Sequence, residues 1–213
     1  WGKDVYLRWS DDEGETWYPN EVSEPSCAID PEACAIRVND DPAANYADQK
    51  RPSAAVAPNG NIVVADGYWN SRLVWYSPQG EFIKSVGSWG RGPGEFNTPH
   101  AMTIDSQGRL LVADLVGGNF HDYMTVPGQL AEHRTRPEEG AQHRIQRFDG
   151  DGNYIDEWTH IMPLSLATYG DRIYASDKMS NLAILDEDSG EVLSHVDNIA
   201  IYIHQLAMDS YGD

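Results

Sequence analysis

Basic residues are scarce in this chain: 15 Lys and Arg stand against 34 Asp and Glu, a formal net charge of −19 over 213 residues. Nucleic-acid affinity rests largely on Lys and Arg neutralising phosphates, so this balance argues against an RNA or DNA surface. Acidity of this degree serves mostly solubility, and no partner is read from it. No run is long and apolar enough to span a bilayer as a helix. Cysteine is nearly absent, with only Cys27 and Cys34. So isolated a pair argues against a metal site there. A local disulfide, which fits an extracytoplasmic or secreted protein, and two free thiols both stay open. Trp1 stands first rather than Met, no signal peptide is legible, and the closing AMDSYGD stops inside a repeated pattern; the chain reads as truncated at both ends.

Trp and Tyr are plentiful, and Gly and Pro fall at intervals, which suits many short strands and tight turns. Self-similarity makes this specific. RPSAAVAPNGNIVVADGYWNSRLVWYSPQGEF, from Arg51, lies in register with TPHAMTIDSQGRLLVADLVGGN, from Thr98. Pro52 matches Pro99, Gly60 matches Gly108, and Val64-Ala65-Asp66 matches Val112-Ala113-Asp114. The second copy is interrupted at 119–142 and resumes as HRIQRFDGDGNYIDEW from His143. A third copy carries Pro163, Gly170 and Ser176-Asp177 in register, and a further one begins at IHQLAMDSYGD. Each copy reads as four short strands, in the first roughly Ala54–Ala57, Ile62–Ala65, Arg72–Tyr76 and Glu81–Val86. Asn-Gly, Gln-Gly and Asp-Gly mark the hairpin turns.

Such a unit is a β-propeller blade, and the expected fold is an all-β, incomplete propeller. The blades are expected at about 51–87, 98–160 and 162–197, with a partial blade at 4–19 and the start of another at 202–213. The spacing and the VAD…N.R pattern resemble NHL repeats, which implies part of a six-bladed ring. Val5 to Trp17 fits the last hairpin of a preceding blade. Within it Ser10, Asp12, Gly14, Thr16 and Trp17 form an Asp box. That motif occurs in sialidases, but it stabilises a peripheral turn and carries no chemistry, so it is read as structural.

Antiparallel geometry puts the start of each innermost strand on the face where the second strand ends. The residue after Pro99 and the loops after Asp66 and Asp114 therefore share one mouth of the central channel, where function concentrates in repeat scaffolds. The position just before the inner strand, which follows a proline in the first three copies, holds Ser53, His100, Leu164 and His204 in successive copies. Histidine thus falls in alternate blades. One reading is that each merely caps its strand. The other is that both belong to a three-histidine site around the axis, with one open position, as in catalytic zinc centres.

DGYWNSRLVWYSPQGEF followed by GEFNTPHAMTID resembles the peptidyl-α-hydroxyglycine α-amidating lyase family, whose match is DGY-x-NSR, a Gly-rich connection and a Pro-His pair. The similarity runs over roughly Arg51 to Asp213 and is strongest between Asp66 and Asp114. The resemblance implies a six-bladed propeller with zinc held by three His. The family cleaves a C-terminal α-hydroxyglycine into a peptide amide and glyoxylate. It implies that Tyr68 is the catalytic Tyr and that His100 and His204 are two of the zinc ligands, the substrate being a small peptide or a hydroxylated small molecule. The third ligand would precede His100, where this sequence has no His.

Departures are equally specific. Trp69 stands where the family has a disulfide Cys, Leu115 where it has an Arg, Tyr202 where it has a Met, and Gln205 where an Asp is linked to structural calcium. Calcium is therefore not expected. A phenol ionises near pH 10 and needs positive charge nearby to act as a base at neutral pH. The insertion offers Arg134 and Arg136 as replacements for the lost cation; a solvated surface loop is the plainer reading. His121, Tyr123 and His133 match no standard ligand spacing, and His143, His160 and His195 are read as structural. Loss of the Arg and Met positions favours the rival function, a non-catalytic NHL propeller that serves as a binding platform.

Overall fold

Residues 6–7, 36–37, 53–67, 70–115, 143–177, 181–197, 199 and 203–208 are described by the structure, a computed structural model. Every element among them is a strand. Strand β1 (Tyr6–Leu7) pairs antiparallel with β2 (Ile36–Arg37). The other strands form three four-stranded antiparallel sheets in simple sequential order. The first sheet holds β3 (Ser53–Val56), β4 (Ile62–Asp66), β5 (Arg72–Tyr76) and β6 (Phe82–Val86). The second holds β7 (Pro99–Ile104), β8 (Leu110–Asp114), β9 (Arg144–Phe148) and β10 (Tyr154–Trp158). The third holds β11 (Pro163–Tyr169), β12 (Arg172–Asp177), β13 (Leu182–Asp186) and β14 (Val192–Val196). Sheets touch through their innermost strands, β3 against β7 and β7 against β11. This is the arrangement of propeller blades.

Turn chemistry sets the blades. Gly60 and Gly108 close the first hairpins of two blades at φ +83 and +80, where L-residues are strained. Asp105 accepts the amides of Gln107 and Arg109, and Asp149 those of Asp151 and Asn153, so a side chain satisfies the turn in each case.

The core lies between sheets. Val63, Leu73, Trp75 and Phe96 pack against Leu110, Val112 and Phe148 between the first two blades. Leu111, Ala113 and Ile145 pack against Leu166, Ile173 and Leu185 between the second and third. Strand β8 therefore sends alternate residues into two cores, and all of it is buried. That is why its sequence LLVAD shows no polar alternation. The outer strand β14 is exposed along its whole length.

Polar links also cross the blades. The Trp75 indole N–H donates to the Gly150 carbonyl at 3.3 Å. Arg109 donates to the Asp188 carboxylate at 2.8 Å and to the Glu187 carbonyl at 3.0 Å. No described helix is long and apolar enough to cross a membrane.

One register expectation is corrected. Counting from the proline aligned Ser53 with His100 and Leu164. The ladders instead pair Ser53 with Ala65, Ala101 with Ala113 and Ser165 with Ser176, with a register shift between Pro99 and Ala101 and another between Pro163 and Ser165. Ser53 thus corresponds to Ala101 and Ser165, while His100 and Leu164 are extra residues at bulges. A bulge leaves one residue out of the ladder and re-aims its side chain.

Tyr68, Trp69, Tyr202, both cysteines, the insertion at 119–142 with its Arg134 and Arg136, and the Asp box lie outside the described residues.

Candidate functional site

The two histidines singled out in the sequence come together. The ring centroids of His100 and His204 are 5.1 Å apart, with planes inclined by 63°. They border one cavity of about 550 Å³, whose lining includes Ser53, Met102, Ser165 and Gln205. None of the described residues that line it is Asp, Glu, Lys or Arg.

The orientation of His100 is set by the bulge in the neighbouring blade. Its Nδ1 lies 2.7 Å from the carbonyl oxygen of Leu164. A carbonyl can only accept, so Nδ1 carries the proton and the neutral ring has its lone pair on Nε2. Fixing the tautomer through the second ring nitrogen is how proteins prepare an imidazole for a metal. His100 is buried and His204 is half-buried.

A zinc ion fits the donor chemistry of this pair. Two imidazoles on one tetrahedral zinc, with bonds of about 2.0–2.1 Å, have ring centroids roughly 5 Å apart. An edge-to-face ring contact has the same spacing, so the distance admits an ion without requiring one. No cluster of three or more His, Cys, Asp or Glu suited to a metal occurs among the described residues.

The chain before His100 is anchored by Asp114. One carboxylate oxygen accepts the amides of Asn97 and Thr98, both at 2.8 Å, and the other accepts Arg144 Nε at 3.0 Å. The Asp114 carboxyl is pushed up to about 6, because burial outweighs Arg144 and the two amides that favour its charged form. Asp66 and Arg72 make the equivalent pair in the first blade, at 2.9 Å. The Asp and Arg of the VAD…N.R pattern are thus structural fasteners at the ends of strands.

Gly67, the middle residue of the DGY segment, touches the same place. A Cβ on it would lie 2.1 Å from the Pro99 carbonyl oxygen, so only glycine permits this approach. Tyr68 follows directly in sequence. Ser71, at the far end of that loop, takes φ +51, a strained left-handed conformation. Its hydroxyl donates to the Asn97 carbonyl at 3.2 Å.

Leu115, the position of the family's Arg, is buried at 3% exposure, and its amide donates to the Thr98 carbonyl at 2.9 Å. His160 Nε2 lies 2.8 Å from the Gly190 carbonyl oxygen. Neither His160 nor His195 is among the residues lining the cavity.

Ser53 and Ser176 stand in the repeat register without a foreseen role, and Gly67 and Ser165 are further residues of the site that the sequence did not single out. Ser53 Oγ accepts the Met102 amide at 3.0 Å, and Ser165 Oγ accepts the Leu206 amide at 3.0 Å. Ser176 Oγ donates to the Ile203 carbonyl at 2.9 Å. The available signal was a serine facing a serine at Ser165 and Ser176, where the second blade has Ala101 and Ala113.

A family model described as a 6-bladed beta-propeller matches residues 50–135. Peptidyl-glycine alpha-amidating monooxygenase B of Xenopus laevis is 40% identical over 87 residues, covering 37% of this chain and 10% of that protein. Peptidyl-alpha-hydroxyglycine alpha-amidating lyase 1 of Drosophila melanogaster is 36% identical over 88 residues, 37% of this chain and 16% of that protein. Human NHL repeat-containing protein 3 is 35% identical over 94 residues, 44% of this chain and 27% of that protein. The chain thus spans about a tenth of the length of the amidating monooxygenase it matches. By its blades the chain has a β-propeller fold, similar over part of its length to an NHL repeat-containing protein and to amidating lyases and monooxygenases.

Proposed function

We propose that the protein is a zinc-dependent lyase of the amidating type, acting on a small peptide that ends in α-hydroxyglycine or on a related hydroxylated substrate. The observation that carries this reading is the 5.1 Å approach of His100, in the second blade, and His204, in the segment after the third, beside one cavity. Similarity to the Drosophila melanogaster lyase supports it.

In this reading His100 and His204 hold the metal through ring nitrogens. Zinc, when bound, supplies a Lewis acid that polarises the substrate hydroxyl. Tyr68, as its phenolate, takes the hydroxyl proton. The carbon–nitrogen bond then breaks, its electron pair leaves with the amide nitrogen, and the proton held by Tyr68 passes to that nitrogen to complete the peptide amide while the two-carbon fragment departs as glyoxylate. The His100 tautomer contributes by placing the ring's lone pair on Nε2, the nitrogen that would coordinate.

Turnover of a peptidyl-α-hydroxyglycine by the complete gene product tests the proposal through glyoxylate release. Tyr68→Phe, which removes the proton acceptor, is expected to lower kcat by a factor of about 10²–10⁴. No glyoxylate from the wild-type protein, or an unchanged kcat in Tyr68→Phe, contradicts it.

A second reading, a non-catalytic binding platform, is favoured by one observation. Leu115 fills the position of the family's Arg and is buried, so no cation enters the site from there. That reading predicts zinc-independent binding of a ligand and no glyoxylate.

A further inference from the structure

We infer that Ser53, Ser165 and Ser176 are positioning residues that hold His100 and His204 at their mutual distance, each from the blade preceding its histidine. The inference rests on the proposed function insofar as the two imidazoles share a metal.

The geometry is repeated with one internal control. Ser53 of the first blade takes the amide of Met102, two residues beyond His100 in the second blade. Ser165 of the third blade takes the amide of Leu206, two residues beyond His204. Ser176, cross-strand from Ser165, gives its proton to the carbonyl of Ile203, the residue before His204. His204 is therefore bracketed on both sides by hydroxyls of one blade. The second blade precedes the inner strand that carries Leu164 instead of a histidine. There the matching positions are Ala101 and Ala113, and no hydroxyl is present.

Physical constraints explain why serine suits this role. Residues 203–208 belong to no described strand, so no ladder among the described residues places His204. Two short side chains, Ser165 at 4% and Ser176 at 0% exposure, supply the fixed points instead. Backbone groups in this half-buried segment still gain from partners, and hydroxyls one bond from Cβ hold them with little freedom. Moving the backbone on either side of a ligand shifts its ring nitrogen, and outer partners of this kind typically change metal affinity 10–100-fold.

The test uses the Ser165→Ala/Ser176→Ala double variant, whose alanines are those the second blade carries naturally. Thr168→Ala is the structural control. It removes a hydroxyl that also joins two blades, through the Ile104 carbonyl at 2.9 Å, but brackets no histidine. In metal-free protein, a nuclear Overhauser effect between the ring protons of His100 and His204 is expected in the wild type and in Thr168→Ala and is expected to be lost in the double variant. Its absence from the wild type, or its survival in the double variant, overturns the inference whether or not zinc binds.

Zinc affinity by chelator competition is the second readout, expected to fall 10–100-fold in the double variant and to stay within about twofold in Thr168→Ala. A double variant as tight as wild type overturns the positioning role. Zinc binding that His100→Ala and His204→Ala leave intact removes the metal reading alone, and the ring contact in metal-free protein still decides the serines.

Discussion

The backbone carbonyl of Leu164 accepts the Nδ1 proton of His100 at 2.7 Å, and both residues sit at register shifts that begin the inner strands of neighbouring blades. One bulge aims the imidazole and the next supplies the group that fixes its tautomer. The pair converts two local irregularities into an imidazole of fixed orientation.

Nitrogen-15 spectroscopy of the metal-free protein checks this directly. At a pH where the ring is neutral, His100 is expected as the Nδ1–H tautomer, because only a donor can face a carbonyl. A ring protonated on Nε2 instead would show that Leu164 does not orient it.

Gly67→Ala tests the close approach beneath the DGY segment. A methyl carbon there meets the Pro99 carbonyl oxygen at 2.1 Å, and the clash involves backbone on both sides. Overpacking of this kind costs about 1–3 kcal/mol. The urea midpoint of the variant should fall accordingly, whereas a midpoint equal to wild type would mean that the loop yields without strain.

Asp114 gives a pH dependence whose sign can be worked out. Burial raises its folded pKa to about 6, above the ordinary range of a free Asp, so between the unfolded and folded values the folded state holds a proton that the unfolded chain releases. The contribution of this group therefore makes the fold more stable as pH falls from 7 to 5, by about 1 kcal/mol. Asp114→Asn lacks the titration. The unfolding free energy of wild type relative to this variant should rise over that interval, and parallel pH profiles would contradict the burial argument.

Much of the fold was legible because turns announce themselves. Asn-Gly and Asp-Gly pairs and the repeated Ala-Asp marked where strands end, and the observed strands Arg72–Tyr76 and Phe82–Val86 lie within a residue of expectation. The histidine register was not legible. A bulge adds a residue without a motif of its own, so counting from Pro52, Pro99 and Pro163 placed Ser53 opposite His100 when it corresponds to Ala101. The serines escaped for a related reason. A lone serine in a strand resembles any polar position until the neighbouring blade shows which amide it receives. Trp75 is buried at 1% exposure, in the interface with the second blade.

The central claim is that His100 and His204 share one zinc ion. Metal analysis of the complete gene product, alongside His100→Ala and His204→Ala, tests it most directly. The account predicts stoichiometric zinc in the wild type and its loss in both variants; a wild type without zinc, or zinc retained in either variant, contradicts it.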